Sequence, residues 1–273
     1  MQQLAPNPRE YYVDLRGKVT SPGAKGFAEL TADPVRANPV SIVQLGLGAL
    51  QLDKTDLVAD VVGWVEERVG ADGLLAYRFP MPHTYALEPP WYSALAQGEA
   101  VSLLVRAAVL LERPGLVDLA EQIAEPLIRS DSPLVVETPE GPVLQEYPTD
   151  PPAHVLNGWL FALWGLHDLG ATEAFATGAE TLARRIDRYR APLGWSLYDL
   201  YPHPLPNIAS PSYHRLHIEQ LRRQCELLAD PRIAAVADEW ERAAGSRVSL
   251  AGAFAAKVAF RVVRPRWRRV RQS

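Results

Sequence analysis

The sequence predicts a mainly α-helical protein: an incomplete α/α barrel, or toroid, of helical hairpins with short β-hairpins in its long loops. Three observations carry this prediction. From Pro39 onward apolar residues recur at helical spacing. A helix–helix–long loop unit returns at intervals of about 50–60 residues, as in helical arrays. The loops share a pattern in which a tyrosine follows a glycine turn: Gly73 with Tyr77, Gly141 with Tyr147 and Gly194 with Tyr198.

Residues 1–38 read as a short extended, strand-like segment, with Tyr11, Val13 and Leu15 alternating. Residues 39–247 form the expected barrel. Its first pair is Ile42–Leu52 and a helix marked by Val58, Val61, Val62, Val65 and Val69, which Gly70 ends. After a Pro- and aromatic-rich loop, Ser93–Glu112 and the helix opened by Pro114 make the second pair, with Pro126 expected to kink or shorten it. The third spans His154–Leu169 and Thr172–Tyr189, with Thr172 as the expected N-cap. The fourth runs from Tyr213 to Leu228 and from Asp230-Pro231, a cap followed by a first-turn proline, to Ala244. Gln97-Gly98 and Asn157-Gly158 occupy equivalent repeat positions, and Gln44-Leu45-Gly46 is a looser echo.

The composition is that of an ordinary globular chain, 48% hydrophobic and 22% charged. A single cysteine, Cys225, rules out an intrachain disulfide and fits a reducing compartment. The opening MQQLAPNPREYY lacks a signal-peptide pattern, so the expected location is cytoplasmic. Charge is uneven. Residues 257–273 hold seven basic side chains and no acid, against −4 for the whole chain, so the other 256 residues carry −11. Within residues 248–273, SLAGAFAAKVAFRVV reads as an amphipathic helix followed by RWRRVRQS. Basic residues interleaved with Phe260 and Trp267 suit an anionic membrane surface, a polyanionic glycan or a solvated, disordered end; the first, slightly ahead, makes the expected placement peripheral at the inner membrane. An acidic body argues against nucleic acid. A homodimer is compatible with the sequence.

Titratable residues concentrate in two places. Glu146 and Tyr147, in QEYPTD, set a carboxylate beside a phenol. A phenol serves as a base near neutral pH only when its environment lowers its pKa from about 10. Residues 194–221 hold Tyr198, Asp199, Tyr213, His214, Arg215 and His217 on a proline-rich loop running into a helix. His214 and His217 share a helix side at i,i+3, and with Arg215 at a helix N-terminus they form an expected seat for a substrate carboxylate. Without HExxH or a cysteine cluster, no metal or other cofactor is expected. Trp91 and Trp195 lie in loops and read as sugar platforms, whereas Trp159 and Trp164 read as core. Tyr77 reads as a rim plug.

Five ordered segments carry a resemblance. WYSALAQGEAVSLLVRA (Trp91–Ala107), EYP (Glu146–Pro148), HVLNGWLFALWGLHDL (His154–Leu169), YDL (Tyr198–Leu200) and YHRLHIEQL (Tyr213–Leu221) together resemble the C-terminal catalytic region of D-glucuronyl C5-epimerases. These enzymes convert glucuronate to iduronate within heparan-type polysaccharides. The resemblance implies an isomerase with an incomplete α/α barrel, acting on a uronate-containing glycan or lipid-linked oligosaccharide. It places the catalytic groups on Glu146, Tyr147, Tyr198 and Tyr213, with His214 and His217 near the carboxylate. Arg78, Trp91, Gln97, Asn157, Trp195 and Arg215 complete the candidate substrate contacts. Where the animal enzymes continue YDL with Arg-His this chain has Tyr201-Pro202, and Ser210-Pro211-Ser212 replaces their arginine and aspartate. Arg215 and Arg78 are the expected substitutes, and a bacterial-type glycan or lipid-linked uronide is the expected substrate. The rival readings are a uronate lyase, which shares the first proton abstraction, and a non-catalytic glycan-binding protein.

Overall fold

The structure, a computed structural model, describes residues 6–82 and 84–265. It is mainly helical. Two short helices, α1 (Gly17–Thr20) and α2 (Phe27–Thr31), precede four hairpins. These are α3 (Pro39–Gln51) with α4 (Thr55–Arg68), α5 (Ala94–Leu110) with α6 (Leu116–Ala124), α7 (Leu156–Leu169) with α8 (Thr172–Arg185), and α9 (Pro211–Leu227) with α10 (Pro231–Ala244). A last helix, α11 (Arg247–Val263), follows.

Local chemistry sets the helix starts. Asn38, Ser210 and Asp230 each accept a backbone N–H of the first turn and each precedes a proline; Ser246 caps α11 in the same way. Thr172 is not the cap expected of it. Ala171 occupies that position, and the Thr172 hydroxyl donates to the Gly170 carbonyl at 3.2 Å. At Pro126, α6 tightens into a 3-10 turn over Glu125–Leu127, because proline cannot supply the next helical N–H.

Helices α3, α5, α7 and α9 pack in sequence, each against the next, and α4, α6, α8 and α10 each flank their hairpin partner. The middle helices, α5 and α7, are buried nearly all round, which explains their near-continuous apolar runs. They cross at two glycines. A Cβ on Gly98 would lie 2.4 Å from Ala162 Cα, and one on Gly165 2.6 Å from Gly98 Cα. Trp159, Trp164 and Trp240 fill the core around this contact.

Each long loop folds back on itself. The first forms isolated antiparallel bridges, Val69 with Leu75, Tyr77 with Trp91 and Met81 with Leu87. The second holds β1 (Val135–Thr138) and β2 (Gly141–Leu144), with Val135 opposite Leu144. The third holds β3 (Arg190–Ala191) and β4 (Trp195–Ser196), with Ala191 opposite Trp195.

The N-terminal segment departs from the expected strand. Val13 and Leu15 are buried as the alternation requires, but among the described residues the segment pairs with no strand. The side chain of Gln51 takes the partner strand's place, accepting the Leu15 N–H at 2.8 Å and donating to the Val13 carbonyl at 3.0 Å. A buried ion pair, Arg106 with Asp168, holds the segment from the other side. Asp168 also accepts from Tyr12 and Ser102, and Arg106 donates to the Glu10 carbonyl.

Candidate active site

Two clefts meet on the face where the loops gather. The larger, about 570 Å³, is lined from α3, α5, α7 and α9 by Gln44, Leu95, Asn157, Phe161, Leu216 and Glu219, with Trp91, Glu146 and Tyr147 from the loops. The smaller, about 330 Å³, is lined by Thr84, Tyr85, Tyr198, Asn207, Ser210, Lys257 and Arg261. Met81, Tyr147 and Tyr213 line both. The two phenols therefore stand at the junction.

Glu146 lies beside it. Gly158, on the first turn of α7, makes room for this side chain, because a Cβ there would sit 2.4 Å from Glu146 Oε2. Burial pushes the Glu146 carboxyl up to about 7. The Asp199 charge pushes the same way, while the Tyr147 and Tyr198 hydroxyls and Asn157 pull it down. Its Oε2 has no hydrogen-bond partner among the described residues. Burial, then the Glu146 charge, holds both Tyr147 and Tyr198 well above the ordinary phenol value. At neutral pH these phenols are O–H donors, and the carboxyl is the group able to release and take up a proton.

Asp199 is buried in a polar cluster behind the smaller cleft. It accepts from the Tyr85 hydroxyl at 2.5 Å, from the Asn207 side-chain amide and from the Tyr201 N–H at 3.2 Å, with His203 Nε2 at 3.3 Å. Tyr85 stacks on Tyr147, centroids 4.6 Å apart, and Tyr198 meets Tyr213 edge-on at 4.9 Å. An aromatic wall backed by this cluster thus fixes the phenol rings. Tyr213 is 37% exposed, held at the first turn of α9 by the Ser210 cap.

Several expected contacts lie elsewhere. His214 and His217 are fully buried, not beside the clefts. Both place Nδ1 2.9 Å from the Ser196 hydroxyl, and His214 Nε2 lies 3.1 Å from the Trp240 carbonyl, so they tie β4 to α9 and α10. Burial lowers them to about 4 and about 3, which leaves both neutral where an anion seat needs cations. Trp195 is no sugar platform: it is buried, stacked on His214 at 3.8 Å, with its indole N–H donating to the Ala209 carbonyl. Gln97 is also internal. It accepts the Leu75 N–H and donates to the Gly73 and Ile123 carbonyls, clamping the first loop. Arg78 and Arg215 are exposed and line neither cleft. Trp91 and Asn157 do line the larger one; Trp91 is stacked on Tyr77 at 3.8 Å.

Tyr85, Asn207, Lys257, Arg261 and Glu99 escaped the sequence reading. Glu99 was signalled only as a lone carboxylate in the apolar run of α5. Burial raises it to about 8, and it accepts from Gln44 at 2.9 Å beneath the larger cleft.

The fold and the site together define a helical-hairpin scaffold that carries a titratable carboxyl and converging phenols at the junction of two clefts. Residues 71–242 match the family model for the D-glucuronyl C5-epimerase C-terminus, and the chain belongs to that family. It is 29% identical over 178 residues to the D-glucuronyl C5-epimerase of Caenorhabditis elegans, a match covering 56% of this chain and 29% of that protein. The aligned part is thus less than a third of the relative's length.

Proposed function

We propose that this chain is an epimerase that inverts C5 of a glucuronate residue in a glycan. The observation that carries the proposal is the junction, where Tyr147 and Tyr213 separate two clefts and Glu146, with its carboxyl near neutrality, adjoins them. In this reading α3, α5, α7 and α9 are the inner row of an incomplete α/α barrel whose central opening holds the sugar. Inversion needs a base on one face of C5 and a proton donor on the other. Glu146 takes the C5 proton, and the electron pair of that bond passes into the carboxylate as an enolate-like charge. Tyr213 gives its hydroxyl proton to the opposite face. Proton return from Glu146 to the phenolate, through the neighbouring hydroxyls of Tyr147 and Tyr198 or through water, restores the site. The reverse direction exchanges the two roles.

The test is NMR of uronate glycans with the purified protein in D₂O. Loss of the C5–H signal with growth of the epimer, abolished by Tyr213→Phe and Tyr147→Phe, is the expected result. A new C=C absorbance would indicate β-elimination, and tight binding without exchange would indicate a glycan-binding protein. We also place the chain at an anionic membrane surface. Leu250, Phe254, Val258 and Val262 are exposed along one side of α11 at four-residue intervals, and the sequence that follows is strongly basic. Flotation with vesicles containing acidic lipid, compared with neutral vesicles, tests this; equal recovery in both refutes it.

A further inference from the structure

We propose that α11 builds the carboxylate-binding subsite, with Lys257 and Arg261 receiving the carboxylate of the uronate that reaches the smaller cleft. The inference rests on the uronate reading above and names the residues that select the acid over a neutral sugar.

Among the described residues, the smaller cleft is lined by two cations and no carboxylate, an arrangement that favours an anion. Both cations come from one helix at i,i+4, so they project from the same side of it. The Lys257 ammonium has a fixed position: it donates to Asn207 Oδ1 at 2.8 Å and to the Ile208 carbonyl at 2.7 Å. Asn207 is held in turn by Asp199, which also binds Tyr85, so the cation and the aromatic wall share one buried network. Lys257 Nζ lies 5.9 Å from the centroid of the Tyr198 ring. A carboxylate placed on these cations therefore brings the adjoining carbon toward the phenols at the junction. There the same cations neutralise the charge that develops as the C5 proton leaves.

The helix is seated well enough to place them. Phe260 is fully buried and meets His203 edge-on at 5.0 Å, while Ala253 packs with Ala191, Trp195 and Ile208. Gly252 lets α11 close against the β3–β4 turn, since a Cβ there would come within 2.6 Å of Leu193 Cδ1. The segment matched by the family model ends at residue 242, before α11 begins at Arg247. The two cations are thus supplied from outside the matched segment, whereas Arg78 and Arg215 line neither cleft.

The test compares binding, by calorimetry, of a glucuronate-containing oligosaccharide and its carboxyl-reduced, glucose-containing counterpart. The full chain is expected to prefer the acid by about ten- to a hundredfold, the range for a charge-assisted pair. Arg261→Met and Lys257→Met should each remove most of that preference while leaving affinity for the neutral sugar unchanged, and Arg261→Lys and Lys257→Arg should restore part of it. Lys257→Met also gives up the bonds to Asn207 and Ile208, so Arg261→Met with an unchanged Tm is the deciding variant. Equal preference in the full chain and in Arg261→Met overturns the subsite, as does a full chain that binds both sugars alike. Preference for the acid that depends on Arg261, without C5–H exchange in D₂O, sustains the subsite and overturns the epimerase reading instead.

Discussion

Glu146 carries the sharpest residue-scale prediction. Its carboxyl, raised to about 7 chiefly by burial, acts as a base only after losing its proton, so the rate of C5–H exchange should rise with pH through about 7. Glu146→Gln should eliminate that exchange while leaving the fold intact, since it removes a costly buried charge. A flat pH profile from 5 to 8 would refute the assignment. Gly158→Ala tests the same group indirectly. Its Cβ would collide with the Glu146 side chain, so exchange should fall by about a hundredfold, the cost of a catalytic group displaced by roughly 1 Å. The sequence made Glu146, Tyr147 and Tyr213 visible because a Pro-fixed Glu-Tyr pair and a capped helix start are local features. It misdirected at His214 and His217. Spacing of i,i+3 shows that two histidines share a helix side, but not whether that side faces a cleft or the core. Lys257 and Arg261 were readable only as two charges among seven, because their function depends on how α11 docks.

At the scale of the element, α11 joins two roles on one helix. Its inner side buries Phe260 and Ala253, its flank presents Lys257 and Arg261, and its outer side exposes Phe254 and Val258. The periodicity of the sequence identified the helix almost to the residue, and the helical hairpins were equally legible, because each helix repeats its own apolar pattern over about two and a half turns or more. The strand expected at Tyr11–Leu15 failed for a complementary reason. Alternation reports that every second side chain is buried, which Val13 and Leu15 satisfy, yet pairing needs a neighbouring strand, and Gln51 supplies those hydrogen bonds instead. Phe260→Ala should loosen α11 without unfolding the hairpins. The lost burial is worth about 3–5 kcal/mol, enough to raise hydrogen exchange across residues 247–263 well above that of α5 and α7. Unchanged protection of those amides would show that the helix is held by other contacts.

Over the whole molecule, buried titratable groups set an opposed pH balance. Glu99 and Glu146 are raised, mainly by burial, to about 8 and about 7, so between their unfolded values near 4.5 and those limits the native state holds protons that the unfolded chain has released. Stability from these two groups is therefore present at low pH and declines as pH rises toward about 8. His154, His214 and His217 are lowered, again mainly by burial, to about 4, about 4 and about 3. Below pH 6.5 the unfolded chain binds protons that these imidazoles refuse, so their contribution is lost as pH falls through the window from 6.5 to about 3. Three imidazoles oppose two carboxyls between about 4.5 and 6.5, and only the carboxyls act above 6.5, so stability should peak near pH 6.5. Urea denaturation across pH 4–9 measures the curve. Glu99→Gln separates its parts, because the amide stays uncharged beside Gln44 at every pH. The variant should lose about 1 kcal/mol per pH unit of the decline between 6.5 and 8, close to the limit of 1.36 kcal/mol for one group, while its acid limb between about 4.5 and 6.5 steepens, because one of the two opposing carboxyls is gone. An alkaline limb as steep as the parent's would remove Glu99 from the account and leave Glu146 to carry the decline. In that case stability and the proposed proton exchange would depend on the same carboxyl, and Glu146→Gln would flatten the alkaline limb as it abolished exchange.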